Sequence, residues 1–234
     1  AEAAYHAITG GFVIGAMIRK VTGQDPRQIL HTVVCEPLGL NDLSYGVSAE
    51  KLPRVARECY TGPPPPPPLE RFLIRSLGTG MRGAVDLAND PRFLQGIIPS
   101  ANIIGTANQI GSFFELLLRD GSLNGTQIFQ PQTVRKATVR QRRRHELDRV
   151  IKLPLRYGLG FMLGSDHLSF YGPGTPRAFG HLGFSQVLAW ADPDRDISVA
   201  FMNNGKPFIT PGVVRWWNVM RVISAVIPRS TPKR

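Results

Sequence analysis

The chain has 234 residues, 42% hydrophobic and 19% charged, which is enough apolar surface for a buried core and too much for a disordered chain. No apolar run reaches the roughly 18 residues of a membrane-spanning helix. The net charge of +11, from 28 Lys and Arg against 17 Asp and Glu, raises the question of a polyanionic partner or an acidic membrane surface. Its dense clusters lie in a basic loop, residues 140–149, and a basic tail, residues 229–234. Neither carries an aromatic residue for base stacking, and no zinc-finger, RRM or KH pattern occurs, so no nucleic-acid partner is expected.

In chain order, residues 3–22 place Ala7, Ile8, Phe12, Val13, Ala16, Met17 and Val21 at helical spacing. Gly10, Gly11 and Gly15 interrupt that helix, and Arg19, Lys20 and Gly23 supply a basic last turn and a stop. A second helix is predicted from Pro26 to Glu36, ending at the turn signal Pro37-Leu38-Gly39-Leu40. Residues 60–70 form a proline-rich loop, with Pro63 to Pro68 held as extended polyproline. Thr106 to Arg119 reads as an amphipathic helix with Ile110, Phe113, Phe114, Leu117 and Leu118 on one side, ended by Asp120-Gly121. Gln186 to Ala191 and Ile197 to Met202 make a β-hairpin around a polar turn, Asp192 to Asp196. A last apolar helix, Val213 to Ile227, stops at Pro228. The pattern is α/β, an antiparallel sheet flanked by helices beside a mainly helical region.

Chemistry is sparse at the level of single motifs. His6, His31, His145, His167 and His181 show no metal-ligand spacing, and neither a GxGxxG nor a Walker loop is present, so no metal and no organic cofactor is implied. The Gly-x-Ser-x-Gly elbow of α/β-hydrolases is missing. Cys35 and Cys59 cannot form a disulfide framework, leaving at most one bridge. With no signal peptide visible, a cytoplasmic location is the default expectation.

Four segments are informative in their order. Tyr5-His6-Ala7 opens the first helix, and Cys35-Glu36-Pro37-Leu38-Gly39-Leu40-Asn41-Asp42 follows it. Downstream stand Tyr157-Gly158-Leu159-Gly160-Phe161 and Phe179-Gly180-His181-Leu182-Gly183-Phe184. Together they resemble the serine β-lactamase and penicillin-binding-protein-like family, in particular its class C-like esterase branch, from Tyr5 to about Asn204. The resemblance implies a β-lactamase/transpeptidase-like fold and hydrolysis of ester or amide carbonyls through an acyl-enzyme on a serine.

By the same resemblance Tyr5 is the family tyrosine, a general-base partner whose phenol a nearby cation would make more acidic. Ala7 stands where the family usually has Asn, a departure that bears on β-lactam turnover more than on ester hydrolysis. His181-Leu182-Gly183 matches the His-x-Gly variant of the family's strand motif. There His181 polarises or protonates the leaving group, Leu182 and Gly183 flank the acyl group, and the Phe184 N–H is an oxyanion donor.

The family's nucleophile, Ser-x-x-Lys, precedes its tyrosine by a long stretch of chain. Here the pattern occurs only as Ser48-Ala49-Glu50-Lys51 and Ser230-Thr231-Pro232-Lys233. Both follow Tyr5, and Pro232 excludes an ordinary helical turn in the second. Residues 1–234 therefore read as a partial β-lactamase-like domain, incomplete at its N-terminus, with an exposed sheet edge open to self-association. The alternative is a non-catalytic pseudoenzyme or remnant that binds a ligand or partner without turnover.

Overall fold

The computed structural model describes residues 5–141, 148, 150, 155–167, 169–208 and 211–230. Helix α1 spans Thr9–Thr22 and ends where Gly23, at φ +74°, donates its N–H to Arg19 O. Such a left-handed residue is the ordinary close of a helix. Tyr5 and His6 lie before the helix rather than within it, and no side chain caps its start at Ile8. Asp25 and Gln28 form a reciprocal capping box for α2 (Pro26–Ile29). The helix then continues through a π turn, Leu30–Cys35, into α3 (Glu36–Leu38), past the expected stop at Pro37. Proline lacks an N–H and crowds the carbonyl four residues back, and the widened turn accommodates both defects.

After β1 (Ser44–Tyr45), a 3₁₀ turn (Ala49–Arg54) and β2 (Cys59–Tyr60) comes α4 (Pro67–Leu77). This corrects the 60–70 loop. Pro66 has polyproline geometry, φ −57° and ψ 149°, but Pro67 and Pro68 occupy the first helical turn, where a missing N–H costs nothing. Next are α5 (Met81–Ala88), α6 (Pro91–Gln95), β3 (Ile103–Ile104) and α7 (Ala107–Leu118). The hairpin β4 (Ser122–Leu123) and β5 (Thr126–Gln127) precedes α8 (Pro131–Thr138). The remaining elements are β6 (Met162–Leu163), β7 (Phe179–Leu182), β8 (Leu188–Asp192), β9 (Ile197–Phe201), β10 (Gly205–Lys206) and α9 (Pro211–Val226). Among the described residues no helix is long and apolar enough to cross a membrane.

The chain divides into two units. A helical unit comprises His6–Gln109 with Asn203–Thr210, and a sheet unit comprises Ile110–Met202 with Ala1–Tyr5 and Pro211–Arg234. In the helical unit β1 pairs with β3 and β2 with β10, over a core that includes Val34, Leu40, Leu43, Leu73, Met81 and Val85. Two polar side chains satisfy its loop carbonyls. Arg27 donates to Tyr45 O (2.5 Å), Gln95 O (2.6 Å) and Gly96 O (3.1 Å). Buried Asn102 donates to Phe93 O and Gly96 O, both at 2.8 Å, and accepts from Ile98 N at 2.9 Å. Such pairing is what buried polar groups require. Both cysteines are free, Cys35 buried and Cys59 exposed.

In the sheet unit the order is β6-β7-β8-β9, antiparallel throughout. Alternation along β8 separates its two faces. Leu188 and Trp190 pack with Tyr171, Trp216 and Met220, whereas Ala191 packs with Phe114, Leu117, Val134 and Phe179. Helix α9 thus covers one face and α7 with α8 the other. Gly180 is required at its place, because a Cβ would lie 2.2 Å from Ala189 O and 2.5 Å from the Trp190 Cβ.

The β8–β9 hairpin is confirmed with a later start. Ser185 (φ +50°) and Gln186 (φ +60°) belong to the tight β7–β8 turn, and pairing begins at Leu188. At the far end of the hairpin, buried Arg195 pairs with Asp192 (2.8 Å) and donates to Gly174 O, Ser224 O and Ile227 O. It thereby closes the last carbonyls of α9. Among the described residues β9 pairs with β8 alone, so its other edge is open.

Candidate active site

The sheet register places His181 opposite Ala189, with Leu182 ending β7. Gly183 and Phe184 lie just beyond, in the turn that the Gly183 N–H closes on Val187 O at 2.7 Å. The strand that the resemblance implied is therefore present. Tyr5 is brought to the same place from the other end of the chain. Its ring stacks on His181, with centroids 6.1 Å apart and planes at 24°. Leu182, Gly183 and Phe184 follow directly in sequence from that contact.

Tyr5 also stacks with Tyr157, the ring centroids 6.5 Å apart and the planes within 14° of parallel. Tyr157 belongs to the Tyr157-Gly158-Leu159-Gly160-Phe161 segment, and the resemblance assigns it no role. Its signal was an aromatic residue just ahead of the Gly158-Leu159-Gly160 turn. Asp148, inside the segment expected as a basic loop, is buried, and its carboxylate raises the pKa of both phenols. Residues 142–147 and 149 of that loop lie outside the described residues, as do 231–234 of the basic tail. In the tail, Arg229 donates to Gly174 O at 2.7 Å and Ser230 Oγ to Asp194 O at 3.3 Å.

The electrostatics differ from the expectation for Tyr5. Burial first, and the Asp148 carboxylate second, push the Tyr5 phenol above its ordinary value rather than below it. Both effects penalise the phenolate, so the protonated phenol is the resting form. Tyr157 is raised by burial, then by Asp148, then by Tyr5. His181 is lowered, chiefly by burial, with its bond to Leu182 O opposing. That bond, 2.7 Å from Nδ1 to a carbonyl oxygen that can only accept, puts the ring proton on Nδ1. The neutral imidazole therefore offers its Nε2 lone pair, a proton acceptor beside a protonated phenol.

Ser48 precedes the 3₁₀ turn in the helical unit, and the Lys51 amine is bound to Asn41 O at 3.0 Å and lies 3.6 Å from Asp42. Lys233, partner of Ser230 in the second match, lies outside the described residues. Among the described residues no group of three or more His, Cys, Asp or Glu is arranged to hold a metal.

Comparison with known proteins gives one consistent answer. The beta-lactamase family model matches residues 1–223. An esterase/beta-lactamase of Mycobacterium tuberculosis, LipL, is 28% identical over 218 residues, covering 87% of this chain and 48% of its own length. A penicillin-binding protein homolog from Caulobacter crescentus superposes with a TM-score of 0.74 at 30% identity, over 92% of this chain and 57% of that one. A family VIII carboxylesterase superposes at 0.77 with 26% identity, over 94% and 58%. The chain thus spans about half the length of the curated relative it matches.

Proposed function

The chain belongs to the β-lactamase family, and from that premise we propose that it is the strand-bearing portion of a carboxylesterase-like serine hydrolase acting on ester or amide carbonyls through an acyl-enzyme. The observation that carries this reading is the stack of Tyr5 on His181, beside the His181-Leu182-Gly183 strand end. In this reading the His181 Nε2 accepts a hydrogen bond or proton at the reacting centre, and Tyr5 relays the nucleophile's proton. Leu182 and Gly183 flank the acyl group, and the Phe184 N–H donates to the oxyanion. Ala7, in place of an amide side chain, favours simple esters over β-lactams.

The nucleophile of this reading is a serine supplied by polypeptide beyond these 234 residues. Two observations support that. The curated relative is about twice as long, and among the described residues α1 carries large apolar side chains that are left exposed. Its Gly11 and Gly15 seam sits against Ser100, Pro99 and Pro26, while Phe12, Val13, Ile14 and Met17 are each at least half exposed. A helix apolar all round belongs to an interior. The phenol itself needs a cation that the described residues do not bring to it, since its neighbours raise its pKa.

Labelling the natural polypeptide with a fluorophosphonate and mapping the modified peptide tests this reading. Modification of one serine outside these 234 residues is expected, and modification of Ser48 would overturn it. The second reading, binding without turnover, is favoured by Ala7 and by the engagement of the Lys51 amine with Asn41 O and Asp42, and it expects no modified serine. The open edge of β9 further supports self-association of the 234-residue chain. A mass that stays monomeric in light scattering at every concentration would remove that part.

A further inference from the structure

Among the described residues the Tyr5 side chain makes no hydrogen bond, and its backbone lies outside any helix or strand. Two aromatic contacts, with His181 and with Tyr157, therefore bear on the orientation of its ring. The two are unequal in origin. His181 sits in the sheet ladder, whereas Tyr157 is carried by a separate tight turn. That turn is firmly built: Tyr157 bridges to Met162, and its carbonyl accepts from Gln141 N at 3.0 Å. Gly158 N bonds Phe161 O at 2.9 Å, and Leu159 N bonds Ala137 O at 2.8 Å. Gly158 lies so close to the end of α8 that a Cβ would stand 2.2 Å from Ala137 O. A ring on a hydrogen-bonded turn thus stacks with one whose side chain makes no hydrogen bond among the described residues.

We propose that Tyr157 is a positioning residue of this site, holding the Tyr5 ring in its place beside His181 through its own stacking contact with that ring. The proposal rests on the assignment of Tyr5 and His181 as site residues. Its physical content is orientation: an offset stack is worth about a 2- to 10-fold preference for one ring arrangement, and here the ring it holds is the proton relay. The ring, and not the hydroxyl, does this. The Tyr157 hydroxyl is buried without a hydrogen-bond partner among the described residues, so removing it breaks no bond to any of them. Phenylalanine should therefore substitute, and an aliphatic side chain should not.

The test uses the 234-residue chain with ¹³C-labelled tyrosine and histidine rings, the Tyr5 signals being assigned with Tyr5→Phe. Stacked rings shift each other's resonances. Tyr157→Leu should move the Tyr5 and His181 ring signals and Tyr157→Phe should leave their stacked arrangement in place, with methyl spectra reporting an intact core. If the leucine variant fails to fold, Tyr157→Met takes its place with the same expectation. Unchanged Tyr5 signals in a folded aliphatic variant would overturn the proposal, as would a phenylalanine variant as perturbed as the aliphatic one. In the natural polypeptide the aliphatic variant should lower kcat about tenfold with KM within about twofold, and phenylalanine should restore it. Absence of hydrolysis in the unsubstituted protein would count against the hydrolase reading alone, because the ring signals decide the positioning role independently.

Discussion

Helices α1 and α9 look alike in sequence, two apolar runs with few charges, yet they are used differently. Helix α9 lays Trp216 and Met220 on the Leu188 and Trp190 face of the sheet, and its last carbonyls are closed by Arg195 from the β8–β9 turn. Helix α1 touches its own unit through a seam of Gly11 and Gly15 and leaves Phe12, Val13, Ile14 and Met17 uncovered. A large apolar side chain stabilises a fold only where something is packed on it. One helix therefore has a packed face, with Val214, Val219 and Val222 exposed on its other side, while the other leaves most of its large apolar side chains exposed.

The largest effect that would sharpen this contrast is at Arg195. Its guanidinium and the Asp192 carboxylate are almost fully buried and mutually paired. Arg195→Met leaves that carboxylate without its cation and three backbone carbonyls with fewer donors. It should cost about 3–5 kcal/mol in urea unfolding, and a loss below about 1 kcal/mol would show that the hairpin does not hold α9.

Next comes a pair of substitutions on the two helices. Met220→Ala, at a fully buried position, should cost about 2–5 kcal/mol. Met17→Lys, at a position 62% exposed, should change the stability of the 234-residue chain by less than about 0.5 kcal/mol. Equal losses at the two sites would break the comparison.

The smallest effect is a pH dependence. In the fold His181 binds its proton less tightly than at its ordinary value of 6.5. The unfolded chain then takes up the proton first as pH falls. The corresponding stability is complete above about pH 6.5 and is lost on acidification toward the folded-state value. His181→Gln should flatten that part of the melting-temperature profile, and an unchanged acid slope would argue against a buried neutral imidazole.

Some of this was legible in the sequence and some was not, for physical reasons. The stop of α1 at Gly23, the amphipathic spacing of α7, the hairpin and α9 follow from local pattern, and the structure has them within a few residues. The short helices α5, α6 and α8 have too few turns for periodicity to register, and α4 was hidden by prolines that in fact start it. In the site, His181 and Tyr5 were reached through a resemblance rather than through spacing. Tyr157 and Asp148 were missed because stacking and a buried field join residues far apart in the chain. The direction of the Tyr5 shift was missed for the same reason: it depends on which charges surround the phenol, and Asp148 sits inside a run dominated by arginine.

The most direct test of the central claim is ester hydrolysis by the natural polypeptide containing these residues, measured with short-chain 4-nitrophenyl esters before and after Tyr5→Phe. The account predicts turnover that falls about 100- to 10,000-fold in the variant, the range for loss of a positioned proton-transfer group. Turnover unchanged by removing that one hydroxyl would contradict it.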